Sequence, residues 1–172
     1  VLRKRKTSRD FIDISLEKEK FFNLIHYTFG DVSDSKQLRK KRAYASAGNL
    51  HPFSVYVYAK NVRGLSRGIY SYSFEKNKLY STSIEAIDDR KLYALLNNQY
   101  YCKNASVFIF LTYNLDILWS KYPQSRSYRL PFVDTGCITH HFQLVSEYLD
   151  MDSWVTSSFN DEAFEELSLI HI

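Results

Sequence analysis

Cysteine is almost missing from this 172-residue chain, which holds only Cys102 and Cys137. A lone potential disulfide is no framework for a domain of this size, and the two thiols have neither metal-ribbon nor redox spacing, so a reducing, cytoplasmic setting is expected. No run of about twenty apolar residues occurs to form a helical membrane span. The start, Val1 to Arg9, carries cations without the apolar stretch of a secretion signal. With five glycines and three prolines there is no repeat, no low-complexity tract and no linker long enough to divide the chain, so residues 1–172 are read as one domain. A strand followed by GxGxxG is lacking, as is a GxxxxGK[ST] loop, which removes the usual dinucleotide and nucleotide-triphosphate signals. Charge of one sign is also scarce. A net charge of +4 favours anionic ligands but falls short of a dedicated nucleic-acid binder, so no nucleic-acid partner is expected.

What is present is apolar and aromatic. A hydrophobic fraction of 45% with 16% aromatic residues is ample for a core. Ser15 reads as the N-cap of a first helix with an apolar face of Leu16, Phe21, Leu24, Ile25 and Tyr27 to Phe29, ended by Gly30. Phe53 to Lys60 alternates as a half-buried strand, and Ile69 to Phe74 follows across a short turn as its antiparallel partner. Ile84 to Leu96 has helical spacing, Ser106 to Thr112 is a continuous apolar run suited to a buried strand, and Leu130 to Leu149 is the longest helix, with the stripe Asp134, Ile138, Phe142, Val145 and Leu149. Trp154 to Thr156 reads as a short final strand, and Asn160 or Asp161 as the cap of a last helix through Leu169. The order predicts a mixed α+β layer fold.

Three segments carry candidate chemistry. Arg5, Lys6, Thr7, Ser8 and Arg9 put guanidiniums, an ammonium and hydroxyls within five residues, a set able to hold phosphate by charge-assisted hydrogen bonds, or else a solvated basic terminus. Tyr44 to Phe53, YASAGNLHPF, places Ser46, Gly48 and Asn49 before a strand, with Arg39, Lys40, Lys41 and Arg42 upstream. It is either an anion or heterocycle cradle or an ordinary loop with Gly48 at positive φ. Lys121 to Arg129 is polar and aromatic. Lysine and tyrosine both keep their protons near neutrality, so Lys121 or Tyr122 would need burial or a cationic neighbour, such as Arg126 or Arg129, to serve as a base. Cys137, His140 and His141 share a helical face but have no second ligand cluster, and no metal site is assigned. Asp88, Asp89, Glu162, Glu165 and Glu166 read as solvated helix faces rather than a hydrolase pair.

Together these segments resemble the flavin-dependent nitroreductase superfamily, and in particular its streptolysin-type (SagB-type) peptide azoline dehydrogenases. KRKTSRDF resembles the family's N-terminal phosphate-binding pattern, RAYASAGNLHPF its R-x-x-P-S-[AG]-G-x-[LH]-x-P loop, GLSRGIYSYSFEKNKL its G-[VL]-Y-x-Y hairpin, and SKYPQSRSYRLPFVDTGCITHHFQL its Lys-Tyr segment leading into a long helix. The resemblance implies a central, mainly antiparallel sheet wrapped by helices, with FMN held at a homodimer interface. It implies that Arg5, Lys6, Thr7 and Arg9 hold the FMN phosphate and ribityl chain, and that Ser46, Ala47, Gly48 and Asn49 lie against the isoalloxazine. Lys121 and Tyr122 match the pair assigned to proton abstraction, with Arg126 and Arg129 as helpers at cofactor or substrate.

The implied reaction oxidises thiazoline or oxazoline rings of a ribosomally made peptide to thiazole or oxazole, beside a cyclodehydratase. The alternatives are a nicotinamide-fed nitro or quinone reductase and a flavin-free scaffold that binds a peptide or the cyclodehydratase. The sequence departs from the pattern at Ala45, where proline is usual, at Pro123, where glycine is common, and at Cys137. It also stops about where the family adds a final strand and tail.

Overall fold

The computed structural model describes residues 1–33, 41–83 and 87–168. Helix α1 spans Lys18–Phe29, and strands β1 (Phe53–Ala59), β2 (Gly68–Ser73) and β3 (Lys78–Ser83) follow it. Helix α2 (Asp89–Leu95), strand β4 (Val107–Tyr113) and helices α3 (Leu115–Lys121), α4 (Leu130–Tyr148) and α5 (Asp161–Ser168) complete the chain. The strands form one antiparallel sheet in the order β3-β2-β1-β4. Helices cover both of its faces, the α+β arrangement expected from the element order.

Strand periodicity explains the layering. Phe53, Val55, Val57 and Ala59 of β1 point to one side, where they pack with Phe21, Ile25 and Phe29 of α1 and Ile138 of α4. Tyr58 points to the other side and joins Leu92 and Leu95 of α2, Phe108 of β4 and Phe164 of α5. Successive side chains of a strand alternate between faces, so a sheet covered on both sides demands apolar residues at nearly every position. This corrects the reading of Phe53 to Lys60 as half-buried, since β1 is central and Tyr58 is fully buried. The continuous run in β4 has the same cause, although β4 lies at the edge of the described sheet and most of its residues are only partly buried.

Other expectations shift for local reasons. Ser15 does not cap α1, because Leu16 is drawn into a parallel bridge with Val62. Leu16 N–H donates to Asn61 O, and Arg63 N–H donates to Leu16 O, so the helix starts after Glu17, whose carboxylate meets Arg63 at 2.7 Å. Gly30 does end α1. Trp154 to Thr156 is not a strand: the Trp154 ring packs edge-on against Tyr101 at 4.9 Å, and Ser153 O accepts from Ser8 N–H of the N-terminal segment instead of from a strand. Asn160 Oδ1 accepts from Ala163 N–H and caps α5 as expected. Arg39, Lys40, Ile84 and Leu169 to Ile172, and the side chains of Glu165 and Glu166, lie outside the described residues.

Ile138 is fully buried where α4 meets α1 and β1. Ile138→Ala removes three carbons from this junction and is expected to lower unfolding free energy by about 2–5 kcal/mol, measured by urea titration.

Candidate functional site

The loop between Tyr44 and Phe53 is strained, and its strain locates its supports. Gly48, Asn49 and His51 all have positive φ, at 59°, 58° and 47°. Glycine takes this conformation freely and asparagine readily, but an L-residue with a bulky side chain is held there at a cost of roughly 1 kcal/mol or more. A short 3-10 turn over Ala47–Asn49 follows from it.

Asp134 of α4 supplies the main support. Its carboxylate is 1% exposed, yet it is well supplied with donors. Ser46 Oγ donates to Oδ2 at 2.9 Å and Ala47 N–H donates to Oδ1 at 2.9 Å. Tyr113 OH, at the end of β4, donates to Oδ2 at 3.3 Å. Burying a carboxylate is tolerable only with such donors. Ser46 Oγ in turn accepts from His51 N–H at 3.0 Å, so one side chain of α4 ties both ends of the bend to the sheet.

Arg42 supports the loop from below. Its Nη1 donates to Tyr44 OH at 2.9 Å and to His51 O at 3.2 Å, and its guanidinium lies 4.1 Å from the Phe74 ring centre. Of the basic run upstream, this described member therefore turns inward and serves the loop backbone. Tyr44 is buried in the core, and its ring meets the His51 ring edge-on at 4.9 Å.

The upper side of the loop is closed by the end of α3. Asn114 caps that helix by accepting from Ile117 N–H, and Lys121 and Tyr122 stand at its C-terminus. Lys121 Nζ donates to Gly48 O at 3.0 Å. A β-carbon on Gly48 would meet Tyr122 OH at 2.6 Å and Lys121 Nζ at 2.7 Å, so both polar tips crowd against the same glycine. The structure thus brings Ser46, Ala47, Gly48 and Asn49 together with Lys121 and Tyr122. Arg126 and Arg129 are exposed. Arg129 stacks beside the Tyr128 ring at 5.7 Å, and no contact joins either guanidinium to Tyr122 among the described residues.

The N-terminal cations form a separate cluster within this chain. Ser8 N–H donates to Ser153 O, Ser8 Oγ donates to Asp152, and Lys6 Nζ lies 3.5 Å from Asp152 Oδ1. Arg9 lies over the Tyr101 ring at 5.8 Å. Gln143 of α4 reaches Thr7 Oγ1 at 3.5 Å; Asp134 lies nine residues earlier, so the two clusters are separated by about 13 Å of helix. Thr7 and Arg9 are exposed and Arg5 is partly so, which leaves their donors open to an anion, whereas Lys6 already faces a carboxylate.

Asp134, Tyr113 and His51 are the residues that motif reading alone left out of the site, and Arg42, read as a cation facing an anion, instead holds the loop. A carboxylate heading the apolar stripe of a long helix was the available signal, because a buried acid must find donors. Its neighbourhood perturbs titration. Burial and then the Arg42 charge push His51 down to about 4, against an opposing pull from Asp134. Burial first, then Asp134 through charge and hydrogen bond, pushes Tyr113 up to about 12.

The His51 shift has a stability consequence. Between pH 6.5 and about 4 the unfolded chain takes up a proton on this ring while the folded protein does not, so stability is full above that window and falls as pH drops through it. The fall in urea midpoint from pH 7 to pH 4.5 should be smaller in His51→Gln than in the parent; equal falls would contradict the assignment.

Comparison with known proteins agrees with this architecture. The family model described as the nitroreductase family matches residues 2–170. A candidate nitroreductase of Methanocaldococcus jannaschii, MJ1384, is 22% identical over 167 residues, covering 97% of this chain and 81% of that protein. Among solved structures, a candidate nitroreductase from Anabaena variabilis superposes with a TM-score of 0.82 at 22% identity over 98% of this chain, which spans only 34% of that longer one. A candidate nitroreductase from Ralstonia eutropha gives 0.78 at 17% identity, covering 99% of this chain and 74% of that one. The Escherichia coli microcin synthetase McbBCD complex, solved with truncated pro-MccB17 bound, gives 0.72 at 17% identity, covering 98% of this chain and 65% of the matched one. With a family model that spans nearly its whole length, the chain belongs to the nitroreductase family.

Proposed function

We propose that the chain is an FMN-dependent oxidoreductase that dehydrogenates thiazoline or oxazoline rings of a ribosomally made peptide. The observation that carries this reading is the closure of Lys121 and Tyr122 over Gly48. A reductase fed by a nicotinamide has no use for a substrate base, whereas ring dehydrogenation requires one proton to leave as such. The likeness to the microcin synthetase complex, which was solved with a peptide bound, supports a peptide substrate.

The donor set fits FMN. Gly48 and Asn49 are exposed, and Gly48 N–H and the Asn49 side-chain NH2 have no acceptor among the described residues, which suits the polar edge of a flavin ring. Arg5, Thr7 and Arg9, with Lys6 beside them, suit its phosphate and ribityl hydroxyls. When bound, FMN would supply the two-electron acceptor that no side chain provides. The protein's own share is to seat the ring on the 46–49 loop, exclude water with Tyr122, and receive a ring proton at Lys121 Nζ or Tyr122 OH. A neutral Lys121 amine can keep one N–H on Gly48 O and still take the proton on its lone pair; the alternative acceptor is Tyr122.

A homodimer belongs to the same reading. Phe132, Val133 and Tyr128, exposed by 75%, 58% and 59%, form an apolar face at the head of α4 that a second copy would cover. Leu115, Ile117 and Trp119 of α3 are also exposed and would face the precursor peptide or a cyclodehydratase. The nitroreductase names of the relatives favour a nicotinamide-fed nitro or quinone reductase as the second reading.

Lys121→Ala separates the two. Dehydrogenation of an azoline peptide should fall by roughly 100-fold or more while FMN stays bound; reduction of a nitroarene with NADPH should be little changed. Undiminished peptide turnover would remove Lys121 from the mechanism.

A further inference from the structure

The hydrogen bonds inside the loop determine which of its donors remain for a ligand. Ser46 gives its hydroxyl proton to Asp134, and Ala47 gives Asp134 its N–H. Asn49 N–H is donated to Ser46 O at 3.0 Å. These three donors are spent within the protein. Asn49 Oδ1 is engaged too, at 3.0 Å from His51 Nε2.

Which of the Asn49–His51 partners donates is decided by the other ring nitrogen. His51 Nδ1 is buried and has no hydrogen-bond partner. A buried unpaired N–H is rarer and more costly than a buried unpaired lone pair, so Nδ1 carries the lone pair and the proton sits on Nε2. Burial and the Arg42 charge keep a second proton off this ring, so His51 is neutral and carries one. His51 therefore donates, Asn49 Oδ1 accepts, and the Asn49 NH2 group is turned outward.

We propose that His51 is a positioning residue that fixes the amide polarity of Asn49, so that Gly48 N–H and Asn49 Nδ2 together present a pair of donors to a ligand. The ligand edge this pair takes is one that presents adjacent hydrogen-bond acceptors. In a flavin this is a carbonyl with its neighbouring ring nitrogen, N1 with O2 or N5 with O4, and not the N3–H. The assignment rests on the flavin-site reading given above, but the tautomer does not.

Two measurements test it. In ligand-free protein with 15N-labelled histidine, the His51 resonances, identified by their loss in His51→Gln, should show the proton on Nε2; a proton on Nδ1 overturns the proposal whether or not FMN binds. FMN titration by fluorescence quenching reads the other half. Asn49→Asp, which replaces the NH2 donor by an acceptor of the same shape, should weaken binding by about 100-fold, and Asn49→Ala by about tenfold. His51→Gln keeps a donor at the Nε2 position and should bind within about threefold of the parent, whereas His51→Phe should lose about tenfold, and nothing further in an Asn49→Ala background. Equal binding by Asn49→Asp and the parent, or equal losses from His51→Phe in both backgrounds, overturns the proposal. A parent protein that quenches no FMN overturns the flavin reading, and the tautomer then decides the pair alone.

Discussion

One buried carboxylate holds the proposed site in shape. Asp134 sits on α4 beneath the sheet's β1 and β4 ends and accepts from Ser46, Ala47 and Tyr113. Without those donors it would be an uncompensated charge in the core, a cost of several kcal/mol. Without the carboxylate, a loop with three left-handed residues in four would have little reason to keep its bend. Each side therefore makes the other tolerable, and the chain is committed to one loop conformation before any ligand arrives. Preorganisation of this kind lets a site bind without first ordering itself.

The rest of the architecture serves that junction. The α1 and α4 layer, packed on the odd residues of β1, fixes where Asp134 emerges, and the β1–β4 register pairs Phe53 with Tyr113 so that the tyrosine reaches the same carboxylate. Arg42 and His51 then brace the loop from its other end. Above it, α3 delivers Lys121 and Tyr122 onto Gly48, the one residue whose missing β-carbon leaves space for them. The N-terminal segment lies farther along α4, where Ser8 and Lys6 are fastened to Asp152 and Ser153 just beyond the end of that helix.

Much of this was legible in the residues. The β1–β2 hairpin showed in alternation and a short turn, and α4 showed in its stripe, because both signals come from burial on defined faces. Strand β3, KLYSTS, shows no apolar alternation, since among the described residues it pairs only with β2 and carries mainly polar side chains, and it was marked only through the resemblance of GLSRGIYSYSFEKNKL to a hairpin. Helix α3 was hidden because only Leu118 of its seven residues is buried, so no apolar period marks it. In the site, Gly48 and the Lys121–Tyr122 pair were visible as unusual local chemistry. Their meeting across 73 residues of sequence is a tertiary fact that local pattern does not encode, and so is the service of Arg42 to the loop backbone rather than to a ligand.

The loop over Asp134, together with Arg5 to Arg9, is proposed to form a flavin site. The visible absorption spectrum of the protein after incubation with FMN and gel filtration tests it most directly. Flavin bands that travel with the protein are the predicted result. A colourless protein, with all FMN in the small-molecule fraction, would contradict it.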